Sequence, residues 1–226
     1  MNEKLSKHLP LLAGGSAAVI WGFSFLFTKD ALSYTYPSQL LGLRFGVAAL
    51  TLTLLRVAKL IKVELRRKGW FGLVVLSLFQ PGLYFLGETW GVKWTTASEA
   101  GMIIALAPIC TAVMAGVFLK ERITLLQVIS IGCSVIGVFF IVTARGPLEF
   151  GNHLLGYLAL FGAVLAAGTY SILSKKSSNR FTPIEITYVM MWSGAVVFNL
   201  LGAGESLVQG KISAYLAPLW ISSVII

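Results

Sequence analysis

The sequence predicts an all-α protein, a polytopic membrane helical bundle, and three observations carry that prediction. The first is composition: of 226 residues, 57% are apolar and 12% charged, and mean hydropathy is +0.83. A water-soluble domain has about 45–50% apolar and about 25% charged residues, so this chain lacks the polar surface to coat a body in water. The second is that apolar runs recur at about the 20 residues that take a helix across ~30 Å of hydrocarbon. The third is that the basic residues gather in alternate connections between those runs.

Seven complete spans are expected, at 11–28, 38–58, 70–91, 95–119, 123–143, 154–174 and 184–204. The first follows Lys4 and Lys7, as the core of a signal peptide would. The run is long, contains Trp21 and precedes many more spans, so a retained helix is expected. The second contains Arg44. The third carries Gln80, Pro81, Tyr84 and Glu88, and the fourth follows "TTASE" and carries Pro108. Cys110 and Cys133 lie inside apolar runs and read as small buried thiols, with no further ligands near them for a metal or reason to pair them. The sixth span contains Tyr170. An eighth begins near Ala214, and "LAPLWISSVII" stops at Ile226 with no flanking charge, so the sequence reads as part of a longer protein.

Orientation follows from the basic residues. With the N-terminus in the cytoplasm, thirteen Lys and Arg fall on the inner side and four (Lys29, Lys93, Arg145, Lys211) on the outer side, with Arg44 left inside a span. That asymmetry predicts a multi-pass protein with a cytoplasmic N-terminus, and an inner (plasma) membrane location is expected. It also accounts for the net charge of +9 as topology signals and contacts with anionic lipid, so no nucleic-acid partner is expected.

Sliding the chain on itself by 146 residues aligns "AAVIWGFSFLFTKDAL" with "VLAAGTYSILSKKSS" without a gap. Gly22 falls on Gly168, Thr28 on Ser174, Lys29 on Lys175 and Pro37 on Pro183. Five spans, an odd number, separate the two starts, so the copies enter the membrane from opposite sides. The expectation is inverted five-helix repeats, an architecture of secondary transporters: a first repeat over 1–147 and a second, incomplete in this chain, over 152–226.

A charged side chain at bilayer depth is costly and marks function until another reason is found. Arg44, Glu88 and Glu99 meet that description, at roughly 9, 5 and 6 Å below the outer rim at 1.5 Å per residue, and they could line one outward-opening cavity. Glu99 has a plainer reading as well. "TTASE" resembles a capping box with Thr96 at the cap, and a carboxylate is stabilised at a helix N-terminus. Glu88, near a helix C-terminus, opposes the dipole, and Arg44 has no helix end to explain it. Gln80, Tyr84 and Glu88 recur every four residues and would share one helical face, turned toward protein or water. Pro81 and Pro108 each free a backbone carbonyl, either for function or as simple packing kinks. Trp21, Phe25 and Tyr170 either wall the pathway or face lipid. Gly42 with Gly46, and Gly87 with Gly91, permit close helix contact.

Signals for an enzyme are weak. There is no His-Glu-x-x-His, Gly-x-Ser-x-Gly or phosphate loop, and neither His8 nor His153 has a partner at metal-ligand spacing. No cofactor, metal or catalytic residue is expected.

The run "TTASEAGMIIALAPICTAVMAGVFLKERITLLQVISIGCSVIGVFFIV" resembles the fourth and fifth helices of EamA-type members of the drug/metabolite transporter superfamily. The matching pieces are Ala97-Ser98-Glu99-Ala100, Pro108, Lys120-Glu121-Arg122, and Gly132 with Gly137. "AAVIWGFSFLFTKDAL", Pro37 and Arg44 resemble the family's first two helices. The resemblance covers nearly the whole chain. It implies ten helices in two inverted repeats, both termini in the cytoplasm, and export or exchange of small metabolites. The expected function is therefore secondary transport of a small molecule, such as an amino acid or drug-like compound, by alternating access in the bilayer. Trp21, Arg44, Gln80, Tyr84, Glu88, Glu99, Pro108 and Tyr170 are the expected pathway residues, with Glu88 the coupling carboxylate. A homodimer is left open. The alternative is a non-transporting assembly or sensor protein, or an inactive remnant.

Overall fold

Helices account for the regular structure of the described residues, and prolines decide where two of the spans break. The computed structural model describes residues 3–64, 71–120, 124–144 and 150–208. The eighth span expected from Ala214 lies outside the described residues, as do Glu121 and Arg122 of the expected inner turn and Arg66, Arg67, Lys68, Arg145 and Lys211 among the basic residues. In chain order the helices are α1 (Glu3–Ala31), α2 (Pro37–Val57), α3 (Phe71–Ser77), α4 (Tyr84–Trp94), α5 (Ala97–Ile104), α6 (Ala107–Leu119), α7 (Leu125–Ala144), α8 (Phe150–Ser177) and α9 (Pro183–Val208). Six stretches are long and apolar enough to cross a membrane: Leu12–Ala31, Pro37–Val57, Phe71–Trp94, Ala97–Leu119, His153–Ser177 and Pro183–Leu207. α7 covers the expected fifth span. The chain is a polytopic helical membrane protein.

The third span is made of α3, a π-helical segment Leu78–Leu83 and α4. Inside that segment Gln80 leaves the helix altogether, at φ −142° and ψ 117°. The cause is Pro81. Its ring disfavours helical backbone in the residue before it and it has no N–H to continue the ladder. The expected face running through Gln80, Tyr84 and Glu88 is therefore interrupted, and only Tyr84 and Glu88 share a helix. The fourth span breaks between α5 and α6. Pro108, in the first turn of α6, cannot donate to the carbonyl four residues back, which ends α5 at Ile104.

In lipid, helix association rests on close packing rather than on escape from water. α2 packs on α9, and α4 and α6 both pack on α8. A Cβ on Gly87 would come within 2.6 Å of the Ala159 carbonyl, and one on Gly42 within 3.0 Å of Asn199 Cγ. The two glycine pairs thus let α4 reach α8 and α2 reach α9. One end of the bundle carries Lys29, Lys93 and the start of α8. The other carries Arg56, Lys120, Lys175 and Lys176, in or beside the last turns of α2, α6 and α8. The thiols differ from expectation: Cys110 on α6 is half-buried and Cys133 on α7 exposed, both free, the latter because α7 is largely open over residues 125–136.

Candidate functional site

Both broken spans border the same space. A cavity of about 1220 Å³ is walled by α1, the break at Gln80, α4, α5, α6, the start of α7 and α8. Trp21 and Phe25 come from α1, Gln80 and Tyr84 from the third span, Gly101 and Pro108 from the fourth, and Ala167, Tyr170 and Ser171 from α8. Trp21 and Tyr84 form a tilted ring pair with centroids 6.5 Å apart, and Tyr84 stands edge-on to Phe85 at 4.9 Å. The Tyr84 hydroxyl is buried with no hydrogen-bond partner among the described residues. Polar function on the wall comes from neutral side chains, among them Gln80, Ser98, Thr111, Gln127 and Ser171, set among alanines and glycines.

Of the eight residues expected to form the pathway, five line this cavity: Trp21, Gln80, Tyr84, Pro108 and Tyr170. Arg44, Glu88 and Glu99 lie outside the lining, in two separate places. Glu88 is buried at 4% exposure, and its Oε2 has no hydrogen-bond partner among the described residues. Arg44 is the cation within electrostatic reach of it and of Tyr84. The guanidinium donates to Thr28 Oγ1 and Ser24 Oγ, each at 3.3 Å, and lies 5.9 Å from the Phe85 ring centre. α1 thus holds the arginine against α4.

Glu99 does what its capping box predicts. Its backbone N–H donates to Thr96 Oγ1 at 3.2 Å and its Oε2 accepts from Thr96 N–H at 2.8 Å. Its second oxygen accepts from the Tyr157 hydroxyl at 2.6 Å, and His153 Nδ1 lies 3.4 Å from Oε2. The carboxylate therefore ties the start of α5 to the start of α8. The Lys29 ammonium, nearby, donates to the carbonyls of Val92 at 2.8 Å, Lys93 at 3.1 Å and Thr95, closing the end of α4. Of the three charges expected to share one outward cavity, Glu99 is set apart from Arg44 and Glu88 because the helix-end amide of Thr96 and the Tyr157 hydroxyl claim it.

A profile of the EamA-like transporter family matches residues 9–143. The chain belongs to the EamA-like transporter family. Among relatives, it is 34% identical over 199 residues to "Uncharacterized transporter YcxC" of Bacillus subtilis (strain 168), covering 88% of this chain and 64% of that one. It is 29% identical over 208 residues to "Probable terminal-alkyne amino-acid exporter" of Streptantibioticus cattleyicolor, covering 88% of this chain and 68% of that one. A solved crystal structure matches with a TM-score of 0.61 at 17% identity, over 92% of this chain and 74% of the other, which shows the fold alone. The chain spans just under two thirds of the length of YcxC. Membership and the six apolar stretches set this chain in a bilayer.

In this EamA-like chain the missed wall residues carry a signal that was present in the sequence. Ala97, Gly101, Ala105, Ala112 and Ala115 line the cavity beside the expected Pro108. With it they recur at three or four residues, so they form one face without bulk. Small residues at that spacing were read only as helix-packing marks at Gly42 and Gly87. Gly101 is different. A Cβ there would meet nothing nearer than Phe25 Cδ2 at 3.9 Å, so its smallness leaves space instead of admitting a neighbouring helix. His153 and Tyr157 were missed as partners of Glu99, since their contact crosses 54 to 58 residues of chain.

Proposed function

We propose that this chain forms the cavity-bearing part of a secondary transporter that exports or exchanges a small metabolite by alternating access across the inner membrane. The observation that carries the proposal is the 1220 Å³ cavity bordered by both proline-broken spans. Unwound backbone at membrane depth is tolerated only where it is buried in protein or lines a cavity, and transporters bind substrate at such discontinuities. Trp21, Gln80, Tyr84, Pro108 and Tyr170 serve as the substrate wall.

Two further features support the inverted-repeat arrangement. α1 ends at Ala31 and α8 at Ser177, while α2 starts at Pro37 and α9 at Pro183, so both element boundaries recur at the 146-residue offset of the sequence repeat. The end of α1 and the start of α8 also meet at one end of the bundle, through Lys29, Thr95, Glu99 and Tyr157, so the two helices enter from opposite sides. The basic last turns of α2 and α8 face the cytoplasm in this arrangement. One relative's name makes amino acids the first substrates to try.

Glu88 is the coupling carboxylate of this proposal. It is buried beside the cavity wall, one helical turn from Tyr84, with one oxygen unpartnered. The test is uptake of an amino-acid and drug-like panel by proteoliposomes holding the full-length protein. Tyr170→Ala and Trp21→Ala are expected to change the Michaelis constant or abolish transport while the protein stays monodisperse. Glu88→Gln is expected to remove the pH dependence of the rate. Wild-type rates in both wall variants would discard the cavity as the substrate site; an unchanged pH profile in Glu88→Gln would discard coupling through Glu88.

A further inference from the structure

A second concavity lies on a different face, between α2 and α9, and shares no residue with the transport cavity. It measures about 460 Å³ and is lined by Gly46, Ala49 and Leu50 on one helix and by Trp192, Ala195, Val196, Asn199 and Leu200 on the other. From Trp192 to Leu200 it runs about 12 Å along the helix axis, at 1.5 Å per residue. Its one amide, Asn199, turns its Nδ2 inward to the carbonyls of Gly42 at 3.0 Å and Ala195 at 2.7 Å. What the groove offers a ligand is therefore an apolar slot.

The Trp192 end of the slot opens onto a built polar corner. Trp192 Nε1 donates to Thr53 Oγ1 at 3.0 Å, and the Tyr188 hydroxyl lies 3.4 Å from the same oxygen. Arg56 lies one turn beyond, donating from Nη1 to the Tyr188 hydroxyl at 3.5 Å, with its guanidinium carbon 5.4 Å from the Tyr188 ring centre. The arginine is exposed yet held on the tyrosine face. The chain continues past it through Lys59 and Lys62, both exposed. Glu64 N–H then donates to Glu185 Oε1 at 3.2 Å, tying this basic segment over the start of α9. Glu185 is itself spent on backbone amides, accepting from Thr182 N–H at 2.9 Å. Glu64 is the one acid on the segment between Arg56 and that tie.

We propose that this groove binds an anionic phospholipid, with an acyl chain between Gly46 and Val196 and the phosphate on Arg56. Charge selects the occupant. An apolar slot alone would take any lipid tail, but a slot ending at a fixed guanidinium with two lysines close in sequence attracts an anionic headgroup. Arginine suits phosphate because its planar fork donates two parallel hydrogen bonds. Trp192 and Tyr188 sit at the junction of slot and headgroup, the depth that amphipathic rings favour.

Native mass spectrometry of the full-length protein, extracted from nanodiscs of equal parts phosphatidylglycerol and phosphatidylcholine, tests this directly. The wild type is expected to retain phosphatidylglycerol preferentially. Arg56→Gln is expected to reduce that preference about fivefold, the effect of one basic residue at a membrane surface. Val196→Trp, which fills the slot from an exposed position, is expected to lower retention of both lipids. Equal retention of the two lipids by the wild type, or an Arg56→Gln preference equal to the wild type's, overturns the proposal. So does Val196→Trp turning a dimer into a monomer with lipid retention unchanged, since the slot would then belong to a second copy of the chain. Transport by the wild type is read separately, so a failure here leaves the transport cavity untouched.

Discussion

The two halves of the helix bundle use small residues in opposite ways. Along α4 and α8, and along α2 and α9, glycine brings backbones together: Gly87 faces the Ala159 carbonyl, Gly156 faces Thr95 and Trp94, and Gly42 faces Asn199. Along α5 and α6, residues as small as these face open space and wall the cavity. The tight seams run along α2, α8, α9 and the α4 half of the third span, while the cavity is bordered by the proline breaks themselves at Gln80 and between α5 and α6. Small size is thus a packing device only where another helix arrives to use it.

The sharpest way to break this comparison is to place leucine on each side. Gly87→Leu puts a branched side chain where even a Cβ lies 2.6 Å from a backbone oxygen. Overpacking of a close contact costs about 1–3 kcal/mol for a few methylenes, and a fixed backbone raises that, so no stably folded protein is expected by size-exclusion chromatography. Gly101→Leu adds the same atoms toward the cavity, with Phe25 its nearest neighbour at 3.9 Å. Its thermal midpoint is expected near the wild-type value while transport in proteoliposomes is lost. Equal stability of the two variants would show that α4 and α8 have room to part, and the distinction would fall.

Next in size is the charge pair beside the cavity. Arg44→Met leaves Glu88, at 4% exposure, without the cation facing it. Removing one partner of a buried, contacting pair costs about 3–5 kcal/mol; Arg44 is half-buried and acts on Glu88 through space, so its loss is expected to fall below that range. Glu88→Gln in the Arg44→Met background is expected to recover most of that loss, because a neutral amide needs no counter-charge. Denaturation in detergent gives the three values needed. Additive losses would mean that the two side chains do not interact and that Arg44 serves only Ser24 and Thr28.

Much of the fold was legible in the sequence because its signals are long. Seven spans follow from apolar runs, and the helical boundaries at Pro37 and Pro183 follow from residues that can start a helix but not continue one. The breaks were legible as prolines, though not their extent. Pro81 displaces Gln80 from the helix, so spacing that assumed an intact helix put three side chains on one face where two remain. Trp21, Gln80, Tyr84, Pro108 and Tyr170, named from the sequence, all line the cavity. The charged residues lie outside its lining. Arg44, Glu88 and Glu99 drew attention by their cost at membrane depth, but depth alone does not say which neighbour meets that cost. For Glu99 the neighbours are Thr96, three residues away, and Tyr157, which only the tertiary fold brings near.

The smallest expected effect sits at that same carboxylate. Tyr157→Phe deletes the 2.6 Å hydrogen bond to Glu99 Oε1 and leaves the capping contacts of Oε2 in place. Glu99 keeps 13% side-chain exposure, so water replaces the lost hydroxyl and the cost is about 1 kcal/mol. Thr96→Ala removes the cap itself, also about 1 kcal/mol, but its effect is not independent. Without the threonine, the Tyr157 bond is one of the contacts still fixing the carboxylate, so the double variant should lose more than the two singles together. Thermal midpoints of the four proteins test this. A strictly additive double variant would mean that Glu99 holds the start of α5 and the start of α8 separately. In that case, the joining of helices at this end of the bundle would rest on Lys29 and the end of α4 instead.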